Sequence, residues 1–270
     1  DLLRERVWAA HPAVFVAAGA SGSAHRALFR SGEVVGADLG VPHPWGVQIT
    51  ADDLLPDDRD AAAGLAWCRR RGGQRMWRVS VPERLVGKGP WRELPEQDSV
   101  GLFAAPAEAA SHLAVEPPAD VHLDVEPSYS DVISGYGGWM CDPPLARQLV
   151  TSHDLTRSDR GFVVARIEGR PVGCALVWWA GGTGVLSGIG VVADQRGRGV
   201  GRARTAAAAR MAACGSRAGR HRWGDVRPDV VWMAATEQGA RLYAQMGFRR
   251  VDTEVQLGPP ASSKTGVMGR

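Results

Sequence analysis

Cysteine is scarce in this chain: four in 270 residues, at Cys68, Cys141, Cys174 and Cys214, with no CxxC pair and no Cys/His pair at ligand spacing. That excludes a disulfide framework or a zinc module as the organising device, and no metal site is expected. Long hydrophobic runs are missing as well. The most apolar stretches, around Ala13–Ala20 and Cys174–Ala180, fall short of the roughly 20 residues that a membrane span needs. No segment joins a basic start to an apolar core and a small-residue cleavage site. The expectation is a reduced, cytoplasmic protein with no membrane partner. Nor does one sign of charge dominate: 32 Lys and Arg stand against 29 Asp and Glu. With 44% hydrophobic and 23% charged residues, the composition is that of an ordinary globular protein, large enough for one big domain or two modest ones.

The charge is uneven locally. Between Arg196 and Arg227 there are nine arginines (196, 198, 202, 204, 210, 217, 220, 222 and 227) and one acid, Asp225. Such a cluster attracts anions. By itself it suits a nucleic-acid face, a solvated helix surface or a pocket for a small polyphosphate.

The first half of the chain reads as mixed α and β. His25–Gly40 alternates around Ser31-Gly32 as a hairpin does, and Asp57–Arg71 carries acids in its first turn, arginines in its last and Gly72-Gly73 beyond, which is a helix with both end signals. Gln74–Val81 and Ser99–Ala105 read as short strands. A proline-containing stretch, Pro106 to Pro118, separates the halves.

The second half has a clearer order. Val121–Val125 is a strand, Ser128–Val150 a helix interrupted at Asp142-Pro143-Pro144, and Gly161–Ile167 and Val172–Trp179 are strands joined by a turn at Glu168–Pro171. A second turn, Gly181–Gly184, leads to strand Val185–Val192. A Gly/Arg loop and an Ala-rich helix from Gly201 to Cys214 follow, then strand Asp229–Ala235, helix Glu237–Met246 and strand Phe248–Gln256. The expected fold is α+β, a mixed sheet with interleaved helices, preceded by a smaller α/β region. The expected division is 1–116, 117–257 and a flexible tail, 258–270.

The loop Gln195-Arg196-Gly197-Arg198-Gly199-Val200-Gly201 lies between a strand and a helix. Its glycines let backbone N–H groups approach an anion, and the helix that follows points its positive dipole end and unpaired first-turn N–H groups at the same spot. The dipole contributes only ~0.3–1 kcal/mol when exposed, so the N–H groups and flanking arginines must supply most of the grip. A pyrophosphate is the natural guest. A Walker loop needs Lys then Ser/Thr after its last glycine, where this chain has Arg202 and Ala203. A dinucleotide fingerprint needs G-x-G-x-x-G, and Gly197, Gly199 and Gly201 have the wrong spacing.

Arg196-x-x-Gly199-x-Gly201, placed between a strand and an Ala-rich helix, resembles the Gln/Arg-x-x-Gly-x-Gly/Ala signature of the GCN5-related N-acetyltransferases. Leu242-Tyr243-Ala244-Gln245-Met246-Gly247-Phe248 resembles the family's Leu-Tyr-x-x-x-Gly-Phe ending, at the usual distance downstream. The resemblance covers residues 120–257. The first 115 residues carry neither motif and are expected to be a degenerate half of the same fold, as in two-part members.

The resemblance implies acetyl-coenzyme A as acyl donor. Its pantetheine arm would lie along Ile189, Gly190 and Val191 between two strands that splay apart. Its pyrophosphate would sit on the loop amides, Arg196, Gly197, Arg198, Gly199, Val200 and Gly201, with Arg202 on the first helical turn. Tyr243 matches the family's general acid: a phenol of pKa ~10 can donate to a departing thiolate whose conjugate acid lies near ~8.5. Two departures stand out. Thr236 occupies a position where many members carry Asn, and strands Val185–Val192 and Val230–Ala235 contain no Asp, Glu or His to serve as the usual base. His122, Asp142, His153 and Asp154 lie on segments that border the acceptor side. Trp178 and Trp179 must face opposite sides of one strand. Tyr136 and Trp139, among Gly135, Gly137 and Gly138, sit where members carry a mobile substrate loop.

The expected activity is transfer of an acyl group to the primary amine of a small molecule. A protein or peptide N-acetyltransferase and a non-catalytic coenzyme A-binding module are the alternatives. Nucleic-acid binding ranks last, because the arginines have no interleaved aromatics before Trp223.

Overall fold

A computed structural model describes residues 1–19, 27–41, 46–51, 56–72, 77–215 and 227–259. The chain opens with helix α1 (Leu2–Gly19), then β1 (Ala27–Ser31), β2 (Val34–Asp38), β3 (Val47–Thr50), α2 (Asp58–Gly72), β4 (Trp77–Pro82), β5 (Glu96–Pro106) and the short α3 (Ala107–Ser111). The second half runs β6 (Val121–Asp124), α4 (Tyr129–Met140), α5 (Pro143–Leu149), β7 (Arg160–Ile167), β8 (Arg170–Ala180), β9 (Thr183–Val191), α6 (Val200–Cys214), β10 (Val230–Ala235), α7 (Glu237–Gln245) and β11 (Arg249–Leu257).

Local chemistry explains most of the boundaries. Glu168 and Gly169 both have positive φ, as do Gly181 and Gly182, so the hairpins β7–β8 and β8–β9 close through turns whose twist matches the strands. Cys141 ends α4 in the left-handed region, and Asp142 caps α5 by accepting from the Leu145 N–H at 2.9 Å, with Pro143 in the first turn where a missing N–H costs nothing. Gly215, at φ 74°, ends α6. The proposed first residues of the β1–β2 hairpin, His25 and Arg26, and the start of the Gln74–Val81 strand lie outside the described residues.

α1 is an element that the sequence reading did not contain. Its 18 residues carry Pro12 and apolar side chains on all sides, so no helical period stands out. It forms because it lies across the sheet and buries Val7, Trp8, Ala10 and His11 against strands of both halves. β3 was not anticipated either. Its four residues are too few for a pattern, and it is held by β2 on one side and β4 on the other.

The strands form one mixed sheet in the order β1-β2-β3-β4-β11-β5-β10-β9-β8-β7-β6. The order has an internal symmetry. Each half has two antiparallel strands leading to a third, a helix (α2 or α6), and a fourth strand parallel to the third. The last strand of each half then crosses over: β11 pairs with β4, and β5 pairs with β10. β5, which precedes residue 116, therefore lies between β10 and β11 of the second half. One face of the sheet packs α6 and α7 over Phe103, Val231 and Met233, while α2 covers Val34, Ile49 and Val79. The apolar side chains buried this way supply the main drive to fold.

Candidate active site

The site is built around the end of β9. β9 and β10 are parallel and paired only from Thr183↔Val230 to Leu186↔Met233. Beyond that point β9 runs on to Val191 and β10 to Ala235 with no mutual pairing, so their facing edges are open. The cause lies on the other side of β9. The register against β8 slips between Leu176↔Ser187 and Cys174↔Gly190, a bulge with Gly188 at φ 57°. A bulge bends the strand that carries it and increases its local twist. Ser187 is exposed, and Gly188, Ile189 and Gly190 are half-buried, whereas Gly184 to Leu186 are buried.

Gly190 is required by a side chain as well. A Cβ there would overlap the indole of Trp139, and a Cβ at Gly188 would come within 2.6 Å of the Tyr136 ring. Tyr136 and Trp139 stand edge to face, with centroids 5.6 Å apart. They sit on helix α4, within the Ser128–Val150 stretch expected to be helical; the Ser128–Asp131 capping box starts that helix and outweighs its three glycines.

The Gly/Arg loop leads from β9 into α6. Gly197 (φ 77°) and Gly199 (φ 83°) take the left-handed conformation, and Gly199 is the N-cap of α6 with no side chain to bond the first turn. Among the described residues no partner is present for the backbone N–H groups from Gly197 to Gly201. A Cβ at Gly201 would have ordinary room, 3.8 Å from Leu242 and Val191, so the protein's own packing does not demand glycine there.

The loop arginines divide by role. Arg196 Nε turns back to donate to the Val191 carbonyl at 3.0 Å, and Arg198 pairs with Asp120 and Gln195. Arg202 is exposed on the first turn of α6. Arg204, one turn further, is 1% exposed and donates through Nη1 to the Gly190 carbonyl. Burial pushes its guanidinium down to about 10, and the titratable Cys174 and Tyr243 work in the opposite direction. Arg217, Arg220 and Arg222 lie outside the described residues.

Tyr243 is buried on α7, its ring edge-on to Phe103 at 6.2 Å. Burial raises its pKa and the Arg204 charge works in the opposite direction. Thr236 is the N-cap residue of α7 at the end of β10, exposed and without a side-chain cap bond. The structure thus brings the β9 end, the loop and α6 together, and the Arg204 charge acts on Tyr243.

The acceptor-side residues named from the sequence are occupied elsewhere. Asp142 is a helix cap. Asp154 is buried in an ion pair with Arg160 at 2.5 Å, and that guanidinium stacks 4.2 Å over Trp178. His122 and His153 are exposed. Trp179 faces α6, where its indole N–H donates to the Ala212 carbonyl at 3.0 Å, and Trp178 lies on the opposite side. Arg204 is the residue that sequence reasoning missed, having counted it as one arginine of a cluster. Its signal was its register: positions 200, 204 and 208 share a helix face with Val200 and Ala208, both buried.

Residues 158–250 match the family model for the acetyltransferase (GNAT) domain. That match lies wholly within the second half of the chain. No curated protein matches the sequence significantly. Among solved structures, a GCN5-related N-acetyltransferase from Kribbella flavida aligns with a TM-score of 0.67 and 20% identity, over 96% of this chain and 96% of that one. A GCN5-related N-acetyltransferase from Sphaerobacter thermophilus gives 0.53 and 16%, over 94% and 93%. A tandem GNAT protein from the clavulanic acid biosynthesis pathway gives 0.55 and 16%, over 88% and 84%. Such identities speak for the fold alone, and they carry the GNAT likeness across nearly the whole chain. The fold supports acyl transfer from acyl-coenzyme A. No described helix is long and apolar enough to cross a membrane, and among the described residues no His, Cys, Asp and Glu cluster could hold a metal ion.

Proposed function

We propose that this GNAT-like protein moves an acetyl group from acetyl-coenzyme A to the primary amine of a small molecule. The observation that carries the reading is the end of β9–β10 pairing after four residues, beside a helix N-terminus whose loop amides are unbonded. The amides from Gly197 to Gly201, with Arg196, Arg198 and the exposed Arg202, would receive the pyrophosphate. Ile189, Gly190 and Val191 would border the pantetheine arm, and Thr236 stands at the far side of the opening. The Gly190 and Val191 carbonyls are already bonded to Arg204 and Arg196, which leaves Ile189 the freest of the three.

In this reading the amine nitrogen attacks the thioester carbonyl, a C–N bond forms, and the C–S bond breaks with the electron pair on sulfur. Tyr243 donates its phenolic proton to that sulfur and is reprotonated from solvent, while the nitrogen, cationic once the C–N bond has formed, gives up a proton to water. Positioned acid catalysis of this kind is typically worth ~10²–10⁴-fold. The amine must arrive unprotonated or lose its proton to water, since Asp142 and Asp154 are committed to structure. Helices α1 and α4 cover the face of β8 and β9 where an acceptor would enter. That suits a small molecule better than an extended peptide. The lack of a free carboxylate or His on β9 and β10 favours a second reading, a coenzyme A-binding module without turnover. A panel of small amines and peptides scored by free-thiol release separates the two. Turnover with a small amine supports the first reading; silence across the panel, with acetyl-coenzyme A still bound, overturns it in favour of the second.

A further inference from the structure

A buried arginine with no carboxylate partner is an expensive feature, since a desolvated charge must find compensation nearby. Arg204 is such a residue. Its recorded partner among the described residues is the carbonyl of Gly190, and its Nε has none. The surroundings are shaped to admit it. A Cβ on Gly173 of β8 would lie 2.6 Å from Arg204 Nη1 and 2.7 Å from the Gly190 oxygen, so glycine at 173 is what lets guanidinium and carbonyl meet. Gly190 is the first residue whose register is restored after the bulge that turns β9 away from β10.

We propose that Arg204 is a positioning residue for the acyl donor: its guanidinium, admitted by Gly173, clamps the Gly190 carbonyl and holds the bulged end of β9 apart from β10. A leucine at this helix position would pack as well as its alanine neighbours, so hydrophobic filling does not account for an arginine. The bond it makes is to the segment that borders the opening. The same charge acts on Tyr243 of α7 and Cys174 of β8. The inference rests on the acyl-coenzyme A reading above.

The test measures acetyl-coenzyme A affinity by calorimetry, and the KM of donor and acceptor separately, for Arg204→Leu, Arg204→Lys and Gly173→Ala. Arg204→Leu and Gly173→Ala are expected to weaken acetyl-coenzyme A about tenfold or more, the scale of one hydrogen bond to a charged donor. Arg204→Lys should recover most of that affinity, and the acceptor KM at saturating donor should not move. Wild-type donor affinity in a folded Arg204→Leu overturns the proposal. So does equal loss in the Lys and Leu variants, which would show that the positive charge is not what holds the Gly190 carbonyl. If Arg204→Leu does not fold, Gly173→Ala decides, because it displaces the clamp and keeps the charge: unchanged donor affinity there overturns the proposal and a tenfold loss supports it. Failure of the wild-type protein to bind acetyl-coenzyme A overturns the underlying reading and takes this inference with it.

Discussion

Helices α2 and α6 occupy corresponding places in the two halves, each joining the third strand of its half to a parallel fourth. Their N-termini have opposite chemistry. α2 is entered from Asp57, whose carboxylate accepts from the Asp60 N–H at 2.7 Å, and Asp58 and Asp60 lie in its first turn. Its positive dipole end is neutralised by its own side chains, and Ser31 ties Asp60 to the first hairpin at 2.5 Å. α6 has a glycine N-cap, no acid in its first turn and no side-chain cap. A glycine N-cap costs only about a few tenths of a kcal/mol against a side-chain cap, but it leaves open in α6 the N–H groups that α2 satisfies. The strands differ in the same sense: β3 is paired with β4 along its whole length, whereas β9 outruns β10 by five residues, 187 to 191. One topology thus yields one half whose helix start is closed by its own side chains and one whose helix start is left uncapped.

The comparison can be broken most sharply at Gly199. Gly199→Glu puts a side chain at φ 83° and a negative charge at the mouth of α6, and should abolish the rise in melting temperature caused by acetyl-coenzyme A. An undiminished rise would remove the loop from the site. Calorimetry on the wild-type chain should show one acetyl-coenzyme A per chain; two would mean that the acid-capped half also binds.

Tyr243→Phe should lower kcat on the order of a hundredfold with little change in donor affinity, read from steady-state kinetics. Wild-type turnover in that variant would end the acid role.

Next in size is a stability effect on the other face of the sheet. Glu254 is buried against His11 of α1, with Nε2 to carboxylate 3.3 Å. Burial alone would raise the Glu254 pKa, but the His11 charge and hydrogen bonds from His11 and Gln256 bring it below the ordinary value. A depressed carboxylate stabilises the fold fully above its unfolded value of ~4.3, and that contribution is lost as pH falls through the lower native value. Glu254→Gln should therefore cost about 2 kcal/mol in urea unfolding at pH 7, and the gap to wild type should close below the unfolded value.

The smallest effect is expected at Asp57→Ala: about 1 kcal/mol of stability from the lost cap, with acetyl-coenzyme A affinity unchanged. A change in affinity there would tie the first half to the site.

The glycine/arginine loop, the helix after it, the two glycine-closed hairpins and the break at Asp142-Pro143 were all legible along the chain, because each follows from the φ preference or hydrogen-bonding habit of the residues on the spot. Arg204, α1 and the aromatic pair on Gly188 and Gly190 were not legible. Arg204 looks like any other surface arginine until β8 and β9 are laid against its helix. α1 shows no stripe because apolar Leu2 and Val16 lie on its exposed side as well. Trp139 and Gly190 are 51 residues apart in sequence, and nothing local connects them.

The residues alone determined where the chain turns, where its helices begin and which loop bares its amides, since those are short-range consequences of glycine, proline and capping groups. Only the tertiary structure decided that β5 and β11 cross between the halves, that β9 parts from β10, and that a buried guanidinium sits behind the parted strand. Those depend on which distant strands pair and in what register, and the free energy of that choice resides in the packed sheet rather than in any one segment.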